Sequence, residues 1–536
     1  MIRNTNHTIF SFTLKFLSHL RFSFLLLGVL YFLPTVSMSQ GNGDPLGFQG
    51  LSKLNMFSAQ ALAQGNTSIA QTGVVNSLFN NPAGLGDIER LQISISGKSS
   101  QWKQHENQYW TESRLHPLLP AILDGRYVPN PHHNGLLDTA LVNLMSPDDY
   151  TIPLLGFDQY SPEVADWKDS YISQSPVNNI SLAIPLKIMG KSLVLAAGLA
   201  RRNDIYEYDR NDTYLNPHFG DRTNPVILAA PDSMIMNWFK YERLSKGGIN
   251  ALTFGLALRM SNHLQLGLSI QNLNGESDDH LEMDKVGYFL FPKSDEFAFT
   301  YDTMTVVQSG KSTFGTTSDI RGMPLLISFF NPIKFGILFN YKQFDLGFCI
   351  TSPYTITRDW DYTIEFFETD TITTTNINGQ DQMDLPITIA LGAKIEQKNR
   401  LSISFDIGFN PYSQTHFSYT DTSFNHTIFQ LDTIRLNWVD QTTFGIGMKY
   451  GITPGISVMT GYRSVPEVFI PNRAAFRHKG PEMESVSAGI SVAFPFGQID
   501  LGYEYRFLKY YDSWETNLNY VLKTENHLGV SLRFGL

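Results

Sequence analysis

From about residue 90 to the end of the chain, apolar and polar positions alternate with a period of two, the mark of strands rather than helices. In the stretch 251–260, Leu252, Phe254, Leu256, Leu258 and Met260 share one face, and Thr253, Gly255, Ala257 and Arg259 share the other. The next stretch sets Leu264, Leu266, Leu268 and Ile270 against Gln265, Gly267 and Ser269, with Ser261 and Asn262 as the tight turn of a hairpin. The pattern returns at Phe335 to Tyr341, Phe344 to Ile350, Leu401 to Phe409, Phe444 to Tyr450, Val486 to Val492, Ile499 to Phe507 and Leu528 to Leu536. No solenoid repeat or heptad competes with it.

Alternation fits a soluble sandwich as well as a membrane barrel, so the second face carries the distinction. It holds Arg259, Asp345, Asp406, Lys449, Asp500, Glu504, Arg506 and Arg533 among glycines and serines, as expected for lipid outside and a polar lumen inside. Tyr341, Tyr450, Tyr503 and Phe507 lie at or near strand ends, where an aromatic girdle meets the head groups. Short connections at Ser261-Asn262, Gln343, Gln397 to Asn399 and Thr453-Pro454 alternate with long polar ones near 203–249, 274–320, 359–384, 411–441, 465–482 and 511–525. That asymmetry separates periplasmic turns from extracellular loops. The expected fold is all-β: a transmembrane antiparallel β-barrel of about 14 strands over residues 91–536, with an N-terminal plug, in contact with outer-membrane lipid. The stretch 101–176, rich in Pro, His and Trp, reads as a long loop.

Composition narrows the function. Of the 536 residues, 42% are hydrophobic and 17% charged, which excludes disorder for the bulk of the chain. Forty Lys and Arg against 50 Asp and Glu give a net charge of -10, so nucleic acid is not an expected partner. One long apolar run, Phe22 to Leu33, follows Arg3, Lys15 and Arg21 and precedes Pro34 and the small residues Thr35, Ser37 and Ser39. This is the order of a secretory signal peptide over residues 1–39, with the mature chain starting at Gln40. The single cysteine, Cys349, allows neither an internal disulfide nor a multi-thiolate site, and it reads as a small filler on the lumen face.

Residues 40–90 form a piece of their own. A modest helical stretch, Ser58 to Gln64, precedes turn positions at Gly65, Asn66 and Gly73 and at Asn81-Pro82-Ala83-Gly84. So many small and turn residues before a barrel predict a plug packed inside the lumen. The runs GNTSIAQTG at 65–73 and SLFNNPAGL at 77–85 resemble the N-terminal pattern of the FadL/TodX family of outer-membrane hydrophobic-compound transporters. The runs at 442–463 and 485–507 are similar in character to that family's closing hairpins. The resemblance implies a 14-stranded barrel whose N-terminal hatch rearranges to pass a hydrophobic small-molecule ligand, of fatty-acid or hydrocarbon type, inward without ATP. It further implies a sideways exit near an inward-kinked strand. Asn81, Pro82, Ala83 and Gly84 would then be the gating part of the hatch, and Gly65, Asn66 and Gly73 its turns. As residues alone, Pro82 and Gly84 read equally well as a tight turn. A second reading stays open: a barrel resembling the PorV-type shuttle of type IX secretion, docking secreted proteins on its extracellular loops.

Candidate chemistry is thin. His132-His133 has no evident third ligand, and the acidic run from Ser277 to Asp284 lacks the ordered spacing of a calcium loop. His527 and Ser531 share a strand face, but the lumen face, where an enzyme acting on membrane lipid has no use for them. No phosphate loop, dinucleotide fingerprint, zincin helix or nucleophile elbow occurs. No catalytic residue, metal or cofactor is expected, and the protein does not read as an enzyme.

Overall fold

The computed structural model describes residues 54–110, 166–188, 191–219, 234–293, 296–317, 331–368, 371–397, 400–419, 438–471, 478–514 and 517–535. The expected signal peptide over 1–39, the start of the 40–90 segment and His132-His133 lie outside these residues.

The strands are β1 (Gln92–Trp110), β2 (Asp166–Ile188), β3 (Lys191–Phe219), β4 (Met234–Arg259), β5 (Leu264–Lys293) and β6 (Glu296–Thr317). They continue as β7 (Ile333–Tyr341), β8 (Phe344–Thr351), β9 (Tyr354–Glu368), β10 (Thr371–Leu385), β11 (Thr388–Gln397) and β12 (Leu401–Asn410). The last six are β13 (His416–Tyr419), β14 (Gln441–Thr453), β15 (Ile456–Pro466), β16 (Glu482–Phe494), β17 (Gly497–Trp514) and β18 (Asn517–Gly535). Around the level of the short turns they form a closed antiparallel ring of 14 strands, β1-β2-β3-β4-β5-β7-β8-β11-β12-β14-β15-β16-β17-β18. The ring shuts where β18 pairs with β1, from Gly535 opposite Gln92 to Asn517 opposite Trp110.

The remaining four segments extend the same wall. Above Ile270, β5 exchanges its partner β7 for β6, which pairs in turn with β9. The hairpins β8–β11 and β9–β10 keep one register, with Thr351 opposite Thr388 and Tyr354 opposite Leu385. The ladder between them is interrupted at Pro353 and Pro386, which have no N–H to donate.

The period-two faces fall as expected. Leu252, Phe254 and Leu256 on β4, Phe339 on β7, Ile407 on β12 and Leu501 on β17 point outward and are exposed. An exposed apolar ring of that extent is satisfied by a lipid phase, not by water. On the opposite face Asp500, Glu504 and Arg506 are buried in the lumen.

Two expectations are corrected. The stretches near 203–249, 274–320, 359–384 and 511–525 are largely not loops: β3 to β6, β9, β10, β17 and β18 run through them as tall strands. Likewise 101–176 is strand at its two ends, to Trp110 and from Asp166. Beyond the lipid the outward face meets water, so the apolar outward row by which the lower strands are read is lost.

Candidate functional site

Residues 55–88 pack against the lumen side of the ring, and Glu89 and Arg90, just before β1, are exposed. Ser58 starts a single helical turn, Ala59–Ala63, its Oγ accepting the Ala61 N–H at 3.1 Å. Gly65, Asn66 and Gly73 all have positive φ, 61°, 60° and 69°. Glycine is needed at 65 for a second reason, because a Cβ there would sit 2.6 Å from the Tyr462 carbonyl oxygen. Asn81 caps a 3-10 helix, Pro82–Asp87, its Oδ1 accepting the Ala83 N–H at 3.2 Å. Its Nδ2 donates to the carbonyls of Ile69 (2.7 Å) and Ile337 (3.3 Å), which ties this motif to β7.

The wall accommodates this inner segment by omitting side chains. At Gly267, Gly336, Gly347, Gly461 and Gly502 an added Cβ would lie 2.0–2.3 Å from inner-segment atoms. Polar groups fix the rest. The Asp406 carboxylate accepts the Ser68 and Ile69 N–H groups at 2.6 and 2.9 Å, Lys334 Nζ donates to the Phe79 carbonyl, and Cys349 Sγ donates to Asn80 O at 3.1 Å. Cys349 is thus a buried lumen-face residue that also holds the segment.

Two apolar clusters occupy a lumen that barrels of this kind usually keep polar. The upper one gathers Ile205, Ile249, Leu273, Phe314, Tyr354 and Trp438, among others, all buried. The lower one packs Phe57, Leu78, Phe79 and Leu85 of the inner segment against Ala183, Ala196 and Ala200 of β2 and β3. The Phe57 and Phe79 rings stack at 4.9 Å. Along β3 and β4 the inward row Ile205, Ala200, Ala196 and Val194, beside Ile249, Ala251 and Ala257, joins the two.

Beside that row the wall is incomplete. The β2–β3 ladder ends at Asn179 opposite Ala200, although both strands continue upward. At the same level β3 carries an extra residue, Arg202, in its pairing with β4. The Arg202 carbonyl accepts the Asn55 N–H at 2.7 Å, and Asn179 Nδ2 donates to Phe57 O at 2.7 Å, so residues 55–57 cross the base of the separation from inside. Above it side chains replace the ladder: Tyr171 stacks on Tyr206 at 5.2 Å and Tyr206 donates to Asp169, while Lys98 of β1 pairs with Asp204 of β3 at 3.0 Å.

The chain matches no protein-family model and no curated protein sequence. Its fold does have solved relatives. It is similar to a FadL homologue of Pseudomonas aeruginosa, with a TM-score of 0.53 and 10% identity, covering 90% of this chain and 98% of that one. It is also similar to the toluene transporter TodX of P. putida, with a TM-score of 0.50 and 11% identity, covering 90% and 98%. The chain has the FadL-type fold. With its closed ring and apolar belt, it is a bacterial outer-membrane β-barrel.

In this FadL-type barrel the other sequence candidates take structural places. His527 and Ser531 are buried in the lumen; His527 Nδ1 meets Ser100 Oγ at 2.8 Å, and Ser531 Oγ accepts the Ala59 N–H at 2.7 Å. Asp279 of the acidic run turns inward and accepts from the hydroxyls of Ser245 and Ser277, while Asp278 faces outward toward Lys311. No metal-ligating group of three occurs among the described residues. The apolar lumen clusters had escaped the sequence reading, although Tyr354 and Ile356, just before the presumed loop near 359–384, and Trp360, Tyr362 and Ile364 within it share one face.

Proposed function

We propose that this barrel moves hydrophobic small molecules, of fatty-acid or hydrocarbon type, inward across the outer membrane without ATP and without chemistry on the ligand. The observation that carries this reading is the buried apolar cluster in the lumen, continued by the small-residue row of β3 and β4 to the lower cluster beside the inner segment. An alkyl chain gains about 0.8 kcal/mol per CH₂ on leaving water, so a dry row favours it over a wet pore. In the upper cluster the apolar side chains pack against one another, and a ligand entering it replaces some of those contacts. The inner segment acts as the hatch, with Asn81, Pro82, Ala83 and Gly84 setting its position and Gly65, Asn66 and Gly73 its turns. The β2–β3 separation is the sideways exit, which makes β3 with its extra Arg202 the kinked strand. The transporter relatives support the same reading by fold alone. Docking of secreted proteins would rest on the loop tips, most of which lie outside the described residues.

Brominated hydrocarbons and fatty acids test this through Trp438, which lies in the upper cluster. Saturable fluorescence quenching that disappears in Trp438→Phe is expected. Quenching that never saturates, or persists unchanged in the variant, would rule the binding compartment out.

A further inference from the structure

Below the inner segment, on the side of the short turns, the lumen keeps a partly open cavity of about 410 Å³. That is room for a small organic molecule. Unlike the clusters above, it is lined by charge: Lys394, Arg400, Lys449 and Arg533 with Glu396 and Asp406, while Asp345 and Asp500 stand close by, the first beside Lys394 and the second attracting Lys449 and Arg533. The acids are already engaged. Glu396 pairs with Lys394 at 3.0 Å, and Asp406 accepts the two backbone N–H groups of Ser68 and Ile69. Lys394 also reaches Asp345 at 3.3 Å, and Arg533 donates to the Gln498 side-chain oxygen. Arg400 and Lys449 have no carboxylate within salt-bridge distance among the described residues. They come from neighbouring parts of the wall: Lys449 stands opposite Ser402 in the β12–β14 ladder, and Arg400 sits in the β11–β12 turn, its carbonyl accepting the Gly451 N–H.

We propose that this cavity binds a small organic oxyanion from the periplasmic side, a solute carrying at least two negative charges as carboxylate or phosphate, bridged between Lys449 and Arg400. Lys449 is part-buried and Arg400 exposed at the mouth, and neither has a carboxylate in direct contact, so a divalent anion placed between them gains the attraction of both. The Arg400 guanidinium offers the paired N–H groups that carboxylate and phosphate take up bidentately. Gln60, Thr67 and Gln71 of the inner segment line the same space, so the bound anion would join that segment to the wall below it. An apolar molecule gains nothing here, and the site stands or falls independently of what crosses the apolar clusters.

The test titrates the full chain in lipid nanodiscs with pyrophosphate and, separately, with citrate, followed by calorimetry at low salt. Saturable binding of at least one is expected, weakened roughly tenfold or more in Arg400→Gln and in Lys449→Gln and largely kept in Lys449→Arg. Binding of pyrophosphate alone assigns a phosphate ligand, and of citrate alone a carboxylate. Slower hydrogen exchange over residues 60–74 of the unaltered protein on adding the anion is the second expected result, and it needs no variant to fold. No saturable binding of either anion, or equal binding by both Gln variants, would overturn the proposal.

Discussion

Phe79→Ala probes what holds the inner segment against the wall. The Phe79 side chain is fully buried, stacks on Phe57, and lies so close to β3 that a Cβ on Gly198 would come within 2.8 Å of its ring. Truncating a buried phenylalanine costs about 3–5 kcal/mol, and the rigid barrel wall cannot collapse to fill the space. The backbone anchor from Lys334 to the Phe79 carbonyl remains, so the loss is one of packing. If the segment opens locally, that free energy raises the open population by roughly two to four orders of magnitude. Hydrogen exchange in nanodiscs reads it at the amides of Ser77, Phe79 and Asn80, which bond within the segment to Val74, Asn76 and Ser77. These amides should exchange faster, while the β17–β18 ladder stays protected. Unchanged exchange at all three would refute packing as the hold, and an equal rise across β17–β18 would refute the segment as a separately opening unit.

Three further outcomes follow from the same geometry. Replacing Asn81, Pro82 and Ala83 together removes a cap, two carbonyl contacts and the side-chain seat on Gly336, and uptake of a labelled hydrocarbon should fall; normal uptake by a correctly inserted variant counts against gating. Tyr206→Phe deletes the hydroxyl that bridges to Asp169 and so loses about 1.5–3 kcal/mol across the β2–β3 separation. Faster release of bound ligand in stopped-flow measurements is expected, and an unaltered rate argues that the exit lies elsewhere. Leu256→Arg places a charge on the outward belt and should cost about 2–4 kcal/mol near mid-bilayer, read as a lower midpoint in denaturant titrations of the lipid-inserted barrel; no shift would put β4 outside the lipid.

The lower barrel was legible because lipid forces a contrast: Leu252, Phe254 and Leu256 face hydrocarbon while Thr253 and Ala257 face the lumen. Gly65, Asn66 and Gly73 were legible as turns because so few residues adopt positive φ. The upper wall was not, since water on its outside removes the contrast, and segments such as Thr371 to Asn378 read as polar loop. The β2–β3 separation was also hidden. Whether two strands stay paired depends on their partners' positions, and Pro176 and the Arg201-Arg202 pair give only a local hint of irregularity. The polar cavity was unreadable for a related reason: Arg400 and Lys449 are far apart in sequence and line one space only when β12 pairs with β14.

The glycines that receive the inner segment are spread around much of the circumference, from Gly267 on β5 to Gly502 on β17. Strand number and stagger set the bore of the cylinder, and the segment is a mandrel matched to it. A bulkier segment would meet backbone on several strands at once, and a slimmer one would leave a void opposite every missing Cβ. Wall and segment are consequently cut to one gauge: they can diverge in evolution only in step, and a segment transplanted from a barrel with another glycine pattern would fit neither the bore nor its own role.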